Sequence, residues 1–289
     1  MSLVKKITRK SFIIRESGRS SDYITPSFGH GCLLNCSYCY MKRNVPEGLT
    51  VAKNTMSILT EINNHAYFDS NTPKPNQTDP VFITYDISCN EDFALHHKYH
   101  DWVSIFDFFK NHTIAKATFA TKIIPKAFLD YNPNKKVRIR FSLMPQKIAD
   151  IVEPKTAKIY DRISSINTFI EAGYDVHVNF SPVIITETWL EDYQQLFDLL
   201  HHLVKFEYKS EVKAEVIFLT HNAKKHEYNL NNDIQGEDLL WTPYIQESKT
   251  SIYGGENIRY QRVLKANYIK QFKALHNAVI PWQEIRYIF

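Results

Sequence analysis

An alternation of strand-like and helix-like stretches runs through the middle of this chain and restricts its fold more than any other feature. V-F-I-T-Y-D-I-S-C (81–89) reads as a strand and 101–111 as a helix, and A-K-A-T-F-A-T-K (115–122) is a strand again. V-R-I-R-F-S-L (137–143) alternates with period two, as a strand with one polar face does. A helix is expected over 156–172, with Thr156 as its N-cap and Gly173 just past its end. D-V-H-V-N-F-S-P-V-I (175–184), a helix over 186–204 and A-E-V-I-F-L-T-H (214–221) complete the series. With a first strand entering near Tyr23, the expectation is an α/β chain forming an incomplete (β/α)6 TIM-like barrel. Periodicity alone leaves an open doubly wound sheet as the alternative. No G-x-G-x-x-G follows any of these strands, which removes the usual dinucleotide site.

The flanks read differently. Residues 1–22 form a basic arm carrying Lys5, Lys6, Arg9, Lys10, Arg15 and Arg19, either solvated or in contact with phosphate. A helix is expected over 50–67 and a proline-rich loop over 70–80. Residues 222–258 are polar and turn-rich, 259–278 are helical, and E-I-R-Y-I-F closes the chain as a strand. The barrel is therefore expected over 23–221, with 222–289 an extension that packs on it and caps one end. Net charge is +4, from 35 basic and 31 acidic residues, which permits a nucleic-acid partner without demanding one. No apolar run approaches the ~20 residues that cross a bilayer. The start of the chain lacks the apolar core of a secretion signal, so a cytoplasmic monomer without membrane contact is expected. The 17 Tyr and 18 Phe are assigned mainly to the core, with a base-stacking surface as the alternative.

Three of the 4 cysteines fall in G-H-G-C-L-L-N-C-S-Y-C-Y (29–40): Cys32, Cys36 and Cys39, spaced C-x3-C-x2-C. Thiolates so placed can each take one iron of a cubic [4Fe–4S] cluster and leave the fourth iron open. The amino and carboxylate groups of S-adenosylmethionine can chelate such an iron and set the sulfonium beside it for one-electron cleavage. The spacing is similar to the signature of the radical S-adenosylmethionine superfamily. Zinc is a rival occupant, with His30 near enough to complete its ligand set. A disulfide is disfavoured, because nothing marks the chain for export and its size needs no staple.

In a barrel the reactive groups sit at the C-terminal ends of the strands. Here those are Cys89 with Asp92 beyond it, Thr121 and Lys122, Ser142, Ser181, and Thr220 with His221. Cys89 reads either as a small buried core residue or as a hydrogen-atom donor over the barrel mouth. Tyr38 and Tyr40 flank Cys39 as packing residues or redox relays, and Lys122 is a carboxylate partner or a surface charge. The sole G-G-E, at Gly254, Gly255 and Glu256, lies downstream of the barrel and reads as a turn.

Taken in order, C-L-L-N-C-S-Y-C-Y, Y-D-I-S-C-N-E-D, Thr121 with Lys122, F-S-L-M-P (141–145), E-P-K-T (153–156), E-A-G-Y (171–174) and F-S-P-V-I (180–184) resemble the spore photoproduct lyases. The resemblance runs from the cysteine loop to His221. It implies that Cys32, Cys36 and Cys39 bind a [4Fe–4S] cluster and that Tyr40, Lys122, Ser142 and Ser181 contact S-adenosylmethionine. It also implies that Cys89 returns a hydrogen atom to the substrate radical, with Tyr38 and Tyr40 as the radical relay. The implied reaction reverses a methylene-bridged thymine dimer in DNA: a 5′-deoxyadenosyl radical abstracts hydrogen, the bridge breaks, and the cysteine quenches the product radical. DNA and a flavodoxin- or ferredoxin-type reductant are the implied partners. Lys224, Lys225, Arg259 and Arg262 are the candidate DNA contacts in the tail. A radical enzyme acting on an RNA base or a peptide, and a metal-stabilised nucleic-acid-binding module without catalysis, remain the alternatives.

Overall fold

The strand-like stretches from Tyr23 to Phe218 all enter one sheet. In the computed structural model, which describes residues 4–41, 48–250 and 255–289, they are β3 (Tyr23–Ile24), β6 (Ile83–Asp86), β7 (Ala115–Thr121), β8 (Val137–Leu143), β9 (Asp175–Val183) and β10 (Ala214–Phe218). The strand order is β14-β10-β9-β8-β7-β6-β3-β2, open at β2 (Arg15–Glu16) and β14 (Ile285–Ile288). β3 pairs parallel with β6, β6 with β7, β7 with β8, and β9 with β10. Parallel neighbours need long crossovers. These are supplied by α1 (Thr55–Phe68), α3 (Trp102–Asn111), α5 (Ile159–Glu171) and α6 (Trp189–Leu203). The result is the α/β incomplete barrel that the alternation predicts. The closing segment is a strand as expected, but β14 pairs parallel with β10 and lengthens the sheet instead of capping it.

The chain divides into two compact units, the first built from residues 4–33, 48–141 and 165–177 and the second from 34–41, 142–164, 178–250 and 255–289. In the first, Phe93, Phe106, Phe119 and Phe128 are fully buried with ring centroids 5.0–6.5 Å apart, so these aromatics are core. β8 departs from its period-two reading because both of its faces are covered. Arg138 and Arg140 are buried, and their guanidinium groups are met by Asp79, Asp175 and Asp86.

Long-range pairing explains most of the other departures. Residues 50–52, expected as the first turn of the helix over 50–67, instead belong to β5 (Leu49–Ala52), because Thr50 and Val51 find Lys5 and Lys6 of β1 (Val4–Ile7) as parallel partners. The other edge of β5 pairs with β4 (Gly29–His30), just before the cysteines. Thr156 is not an N-cap: its hydroxyl donates to the Glu153 carbonyl, and α5 starts at Ile159, after a short helix α4 (Gln146–Val152) that periodicity did not reveal. Gly173 does end α5, at a φ of +94° that favours glycine. The strand expected over 214–221 stops at Phe218, and β11 (Thr220–His221) joins a separate sheet with β12 (Gln246–Thr250) and β13 (Glu256–Tyr260). The stretch read as polar and turn-rich over 222–258 therefore holds β12, the start of β13 and two helices, α7 (Ala223–Asn231) and α8 (Glu237–Leu240). The last helix, α9 (Arg262–Val279), starts after β13. Gly254 of the G-G-E triplet lies outside the described residues.

Candidate active site

In the first unit, the segment after β6 builds a rigid platform from Y-D-I-S-C-N-E-D. Asp86 accepts from the Ser88 backbone N–H, and Ser88 Oγ donates to the Glu91 carbonyl, so Cys89 sits in a tight, internally bonded turn. Asp92 then N-caps α2 (Phe93–His96) by accepting from the Leu95 N–H at 3.0 Å. The same carboxylate accepts from Thr121 Oγ1 at 2.8 Å and from the Lys122 N–H at 3.0 Å, which ties the end of β7 to the Cys89 turn. Glu91 is fully buried and accepts from His96 and His100. Burial alone would push its carboxyl up, but the bonds from His100 and His96 outweigh it and hold the group below its ordinary value.

Cys32 reaches this platform through its neighbours. The Gly31 N–H donates to the Asn90 carbonyl at 3.0 Å, and the Leu33 N–H to His96 Nε2 at 3.3 Å. A side chain at Gly29 would run into the Glu91 carboxylate, its Cβ only 2.2 Å away, so this glycine allows the approach. The structure thus sets the residue before Cys32 against the residue after Cys89. Arg15 Nη2 stands 3.9 Å from Cys89 Sγ. Burial, followed by Asp86, pushes the Cys89 thiol up from its ordinary value, with Arg15 and Arg140 opposing. It therefore stays an S–H group at neutral pH, the form a hydrogen-atom donor requires. Beside it runs a groove of about 460 Å³ lined by Arg9, Lys10, Arg15, Ser27 and Asn90. His30 is held neutral by burial and by Arg9, which outweigh Glu91.

The second unit holds Cys36, Cys39, Tyr38, Tyr40, Ser142 and Ser181. The Cys39 N–H donates to the Cys36 carbonyl at 3.0 Å, closing a turn that puts both cysteines on one loop. Tyr38 is half-buried and its hydroxyl donates to Glu153 Oε1. Burial, then Glu153 with Cys36 and Cys39 nearby, keeps its phenol protonated. Glu153 is paired at 3.0 Å with Arg162, whose Nη1 donates to the Ser142 carbonyl at 2.7 Å. One chain of bonds therefore joins the cysteine loop to the end of β8. The E-P-K-T motif supplies Glu153 and Thr156 to that chain, a role that periodicity could not give them. Tyr40 is 41% exposed, and Ser181 is half-buried on β9.

The tail residues divide. Lys224 and Arg262 are exposed, and Arg259 leans on Glu247 at 3.9 Å. Lys225, expected as a DNA contact, is buried instead: its ammonium donates to the Tyr38 carbonyl. His221, expected at a barrel strand end, is buried in β11 against Glu237. His221, His226 and Glu237 offer ligand atoms within 4.8 Å of one another. Both rings bond to the same carboxylate oxygen, at 2.7 and 2.5 Å, and Trp241 stacks on His226, which describes a hydrogen-bonded cluster.

None of the 4 cysteines is in a disulfide. Three soft thiol ligands within eight residues of sequence, without a fourth cysteine among them, fit a cluster with an open iron. Among the described residues no helix is long and apolar enough to cross a membrane.

Comparison with known proteins adds three findings. A family model described as spore photoproduct lyase matches residues 2–289. The spore photoproduct lyase of Bacillus subtilis (strain 168) is 27% identical over 211 residues, covering 72% of this chain and 59% of that protein. The spore photoproduct lyase of Geobacillus sp. (strain Y412MC61) is 24% identical over 196 residues, covering 66% and 54%. The chain thus spans little more than half the length of these curated relatives. A solved spore photoproduct lyase complexed with dinucleoside spore photoproduct matches with a TM-score of 0.87 and 19% identity, over 99% of this chain and 82% of that one. A solved spore photoproduct lyase mutant with bound AdoMet and dinucleoside spore photoproduct gives the same TM-score of 0.87 at 18% identity. These likenesses show the fold.

Proposed function

We propose, from the premise that this chain belongs to the spore photoproduct lyase family, that it is a radical S-adenosylmethionine enzyme which restores thymines from spore photoproduct in DNA. The observation that carries this reading is the bond from Gly31 to Asn90, which sets the loops of Cys32 and Cys89 side by side at the strand ends.

In this reading Cys32, Cys36 and Cys39 hold a [4Fe–4S] cluster, and Tyr40, Lys122, Ser142 and Ser181 contact S-adenosylmethionine. When bound, that pair supplies a 5′-deoxyadenosyl radical able to take a hydrogen atom from the lesion. The protein's own work is positioning and quenching. Asp92 fixes the backbone of Lys122 relative to Cys89, and Arg162 fixes the Ser142 carbonyl. After the methylene bridge breaks, the S–H bond of Cys89 would be lost as a C–H bond forms on the product. The sulfur radical would regain hydrogen from the phenol of Tyr38 or Tyr40, and the tyrosine radical so formed would be quenched by an electron from the reductant and a proton from water. The Lys10 and Arg15 side of the groove beside Cys89 suits the phosphates that flank a lesion. A flavodoxin- or ferredoxin-type protein would deliver the electron, in the reducing cytoplasm.

The test is anaerobic. The protein is reconstituted with iron and sulfide, reduced with dithionite and given S-adenosylmethionine with dinucleoside spore photoproduct or lesion-bearing DNA. 5′-Deoxyadenosine and repaired thymine are then assayed together. Both should form, and Cys89→Ala should abolish clean repair while 5′-deoxyadenosine still forms. 5′-Deoxyadenosine without repair would move the substrate to an RNA base or a peptide. Neither product from a fully loaded protein would end the radical reading.

A further inference from the structure

Between Cys36 and Cys39 the chain presents two peptide carbonyls, those of Ser37 and Tyr38, and each is held by a buried side chain of α7. Asn229 Nδ2 donates one hydrogen to the Ser37 carbonyl at 2.9 Å and the other to Glu237 Oε2. Lys225 Nζ donates to the Tyr38 carbonyl. Ser37 adds two bonds of its own, from Oγ to the Gln235 carbonyl at 2.6 Å and from its N–H to the Val152 carbonyl at 2.9 Å. Lys225 is 4% exposed and Asn229 3% exposed. Glu237 is itself fixed from its other oxygen by His221 and His226. The whole assembly, from Trp241 stacked on His226 to the two carbonyls, lies within one compact unit.

This arrangement does more than shape a turn. A lysine ammonium is costly to bury, and it is found inside proteins where a negative group or a fixed dipole repays the loss of water. The carbonyl it meets belongs to the residue directly before Cys39. With a cluster bound, the three thiolates would make that loop a centre of negative charge, which would grow by one unit on reduction. Net charge and hydrogen bonding near the sulfurs are the protein's means of setting a cluster's potential.

We propose that Asn229 and Lys225 are positioning residues that clamp the cysteine loop through its Ser37 and Tyr38 carbonyls, and that the Lys225 charge favours the reduced state of the cluster held there. The second half rests on the reading of Cys32, Cys36 and Cys39 as cluster ligands; the first half does not.

Two readouts separate the halves. In the iron-free protein, hydrogen–deuterium exchange of peptides covering 34–41 should be about tenfold faster in Asn229→Leu and Lys225→Met than in wild type, with peptides covering β8 unchanged. Equal protection in wild type and both variants would overturn the clamp. In the reconstituted protein, a redox titration followed by electron paramagnetic resonance should show the reduced-to-oxidised ratio at a fixed potential falling about tenfold in Lys225→Met, or ~59 mV for a one-electron couple. Lys225→Arg should keep the wild-type ratio. Lys225→Gln keeps a donor for the Tyr38 carbonyl and removes only the charge, so it should retain loop protection yet show the same fall. It also covers the case in which the Met variant does not fold. A Gln variant that loads iron and titrates as wild type would overturn the charge effect. Wild type that takes up no cluster would overturn the cluster reading and the charge effect together, with the clamp still decided by exchange.

Discussion

Where β7 and β8 begin, Lys116 and Arg138 are buried and each is paired with both Asp79 and Asp175; where β6 and β7 end, Asp92, three residues past Cys89, holds the Thr121 hydroxyl and the Lys122 backbone. Both groups lie in the first unit and both are polar, yet they are solved differently. At the strand starts each charge has an opposite partner at 2.5 to 3.1 Å, and the set closes on itself. At the strand ends one carboxylate serves as the anchor, tying the Thr121 hydroxyl and the Lys122 backbone to the segment that carries Cys89, a thiol kept protonated. A closed set stabilises; an anchored one presents. The starts of these strands thus hold a self-contained set of ion pairs, and their ends hold the groups proposed for the chemistry, the division that is general for barrels.

The sharpest way to break that contrast is at the strand starts. Arg138→Met leaves Asp79 and Asp175 short of a buried partner and should cost about 3–5 kcal/mol in chemical unfolding. Repair per folded molecule should stay near wild type. An Arg138→Met protein of normal stability would mean that the set is exchangeable, and one that folds but cannot repair would place it in the site.

Cys89→Ala is the opposite case. Clean repair should fall by about 10²-fold or more, equivalent to ~2.7 kcal/mol of barrier. The unfolding free energy should move by no more than about 0.5–1 kcal/mol, since the thiol is only partly buried. Comparable losses of stability and repair would show that the residue is core after all.

Asp92→Ala should fall between the two. It removes a helix cap worth about 1–2 kcal/mol and also frees Thr121 and the Lys122 backbone. Repair should drop by about tenfold, with Asp92→Asn recovering part of it, because an amide oxygen can still accept. Loss of stability alone, measured by thermal melting beside the repair rate, would reduce Asp92 to a cap.

These two ends were unequally legible in the sequence. The cysteines, Cys89 and the strand ends could be read because a strand shows itself over a few residues, and its last residue then follows by counting. The strands β8 and β9 appear close to their expected limits for that reason. What escaped depends on partners distant in the chain. Arg138 and Arg140 read only as the polar positions of an alternating strand, since nothing local announces Asp79, Asp86 or Asp175. Lys225 read as a DNA contact, although its partner is the carbonyl of Tyr38 in the cysteine loop. β5 was absorbed into a helix because its partner, β1, lies at the far end of the arm. Glu153 was visible only as a letter of a matched motif; its bond to Tyr38 and its pairing with Arg162 belong to the fold.

The smallest effect, and the one that pulls the two ends apart without a mutation, is pH. Burial alone would raise the Asp79 carboxyl, but Lys116 and the bonds from the Phe82 and Val81 backbone outweigh it and hold the group at about 2. A carboxyl depressed in the folded state contributes stability that is present above its unfolded value near 4 and is lost as pH falls toward 2. Melting temperature should therefore decline through that window, and Asp79→Asn, though less stable throughout, should decline less steeply. Cys89 responds at the other extreme. Its thiol is raised above the ordinary 9.0, so hydrogen donation should persist to a higher pH than a solvated cysteine allows, and repair should fail only beyond it. Acid should thus loosen the strand starts while the strand ends keep their donor, and alkali should silence the strand ends in a protein that is still folded. A repair rate that fell together with the melting temperature at both extremes would mean that the two ends act as one.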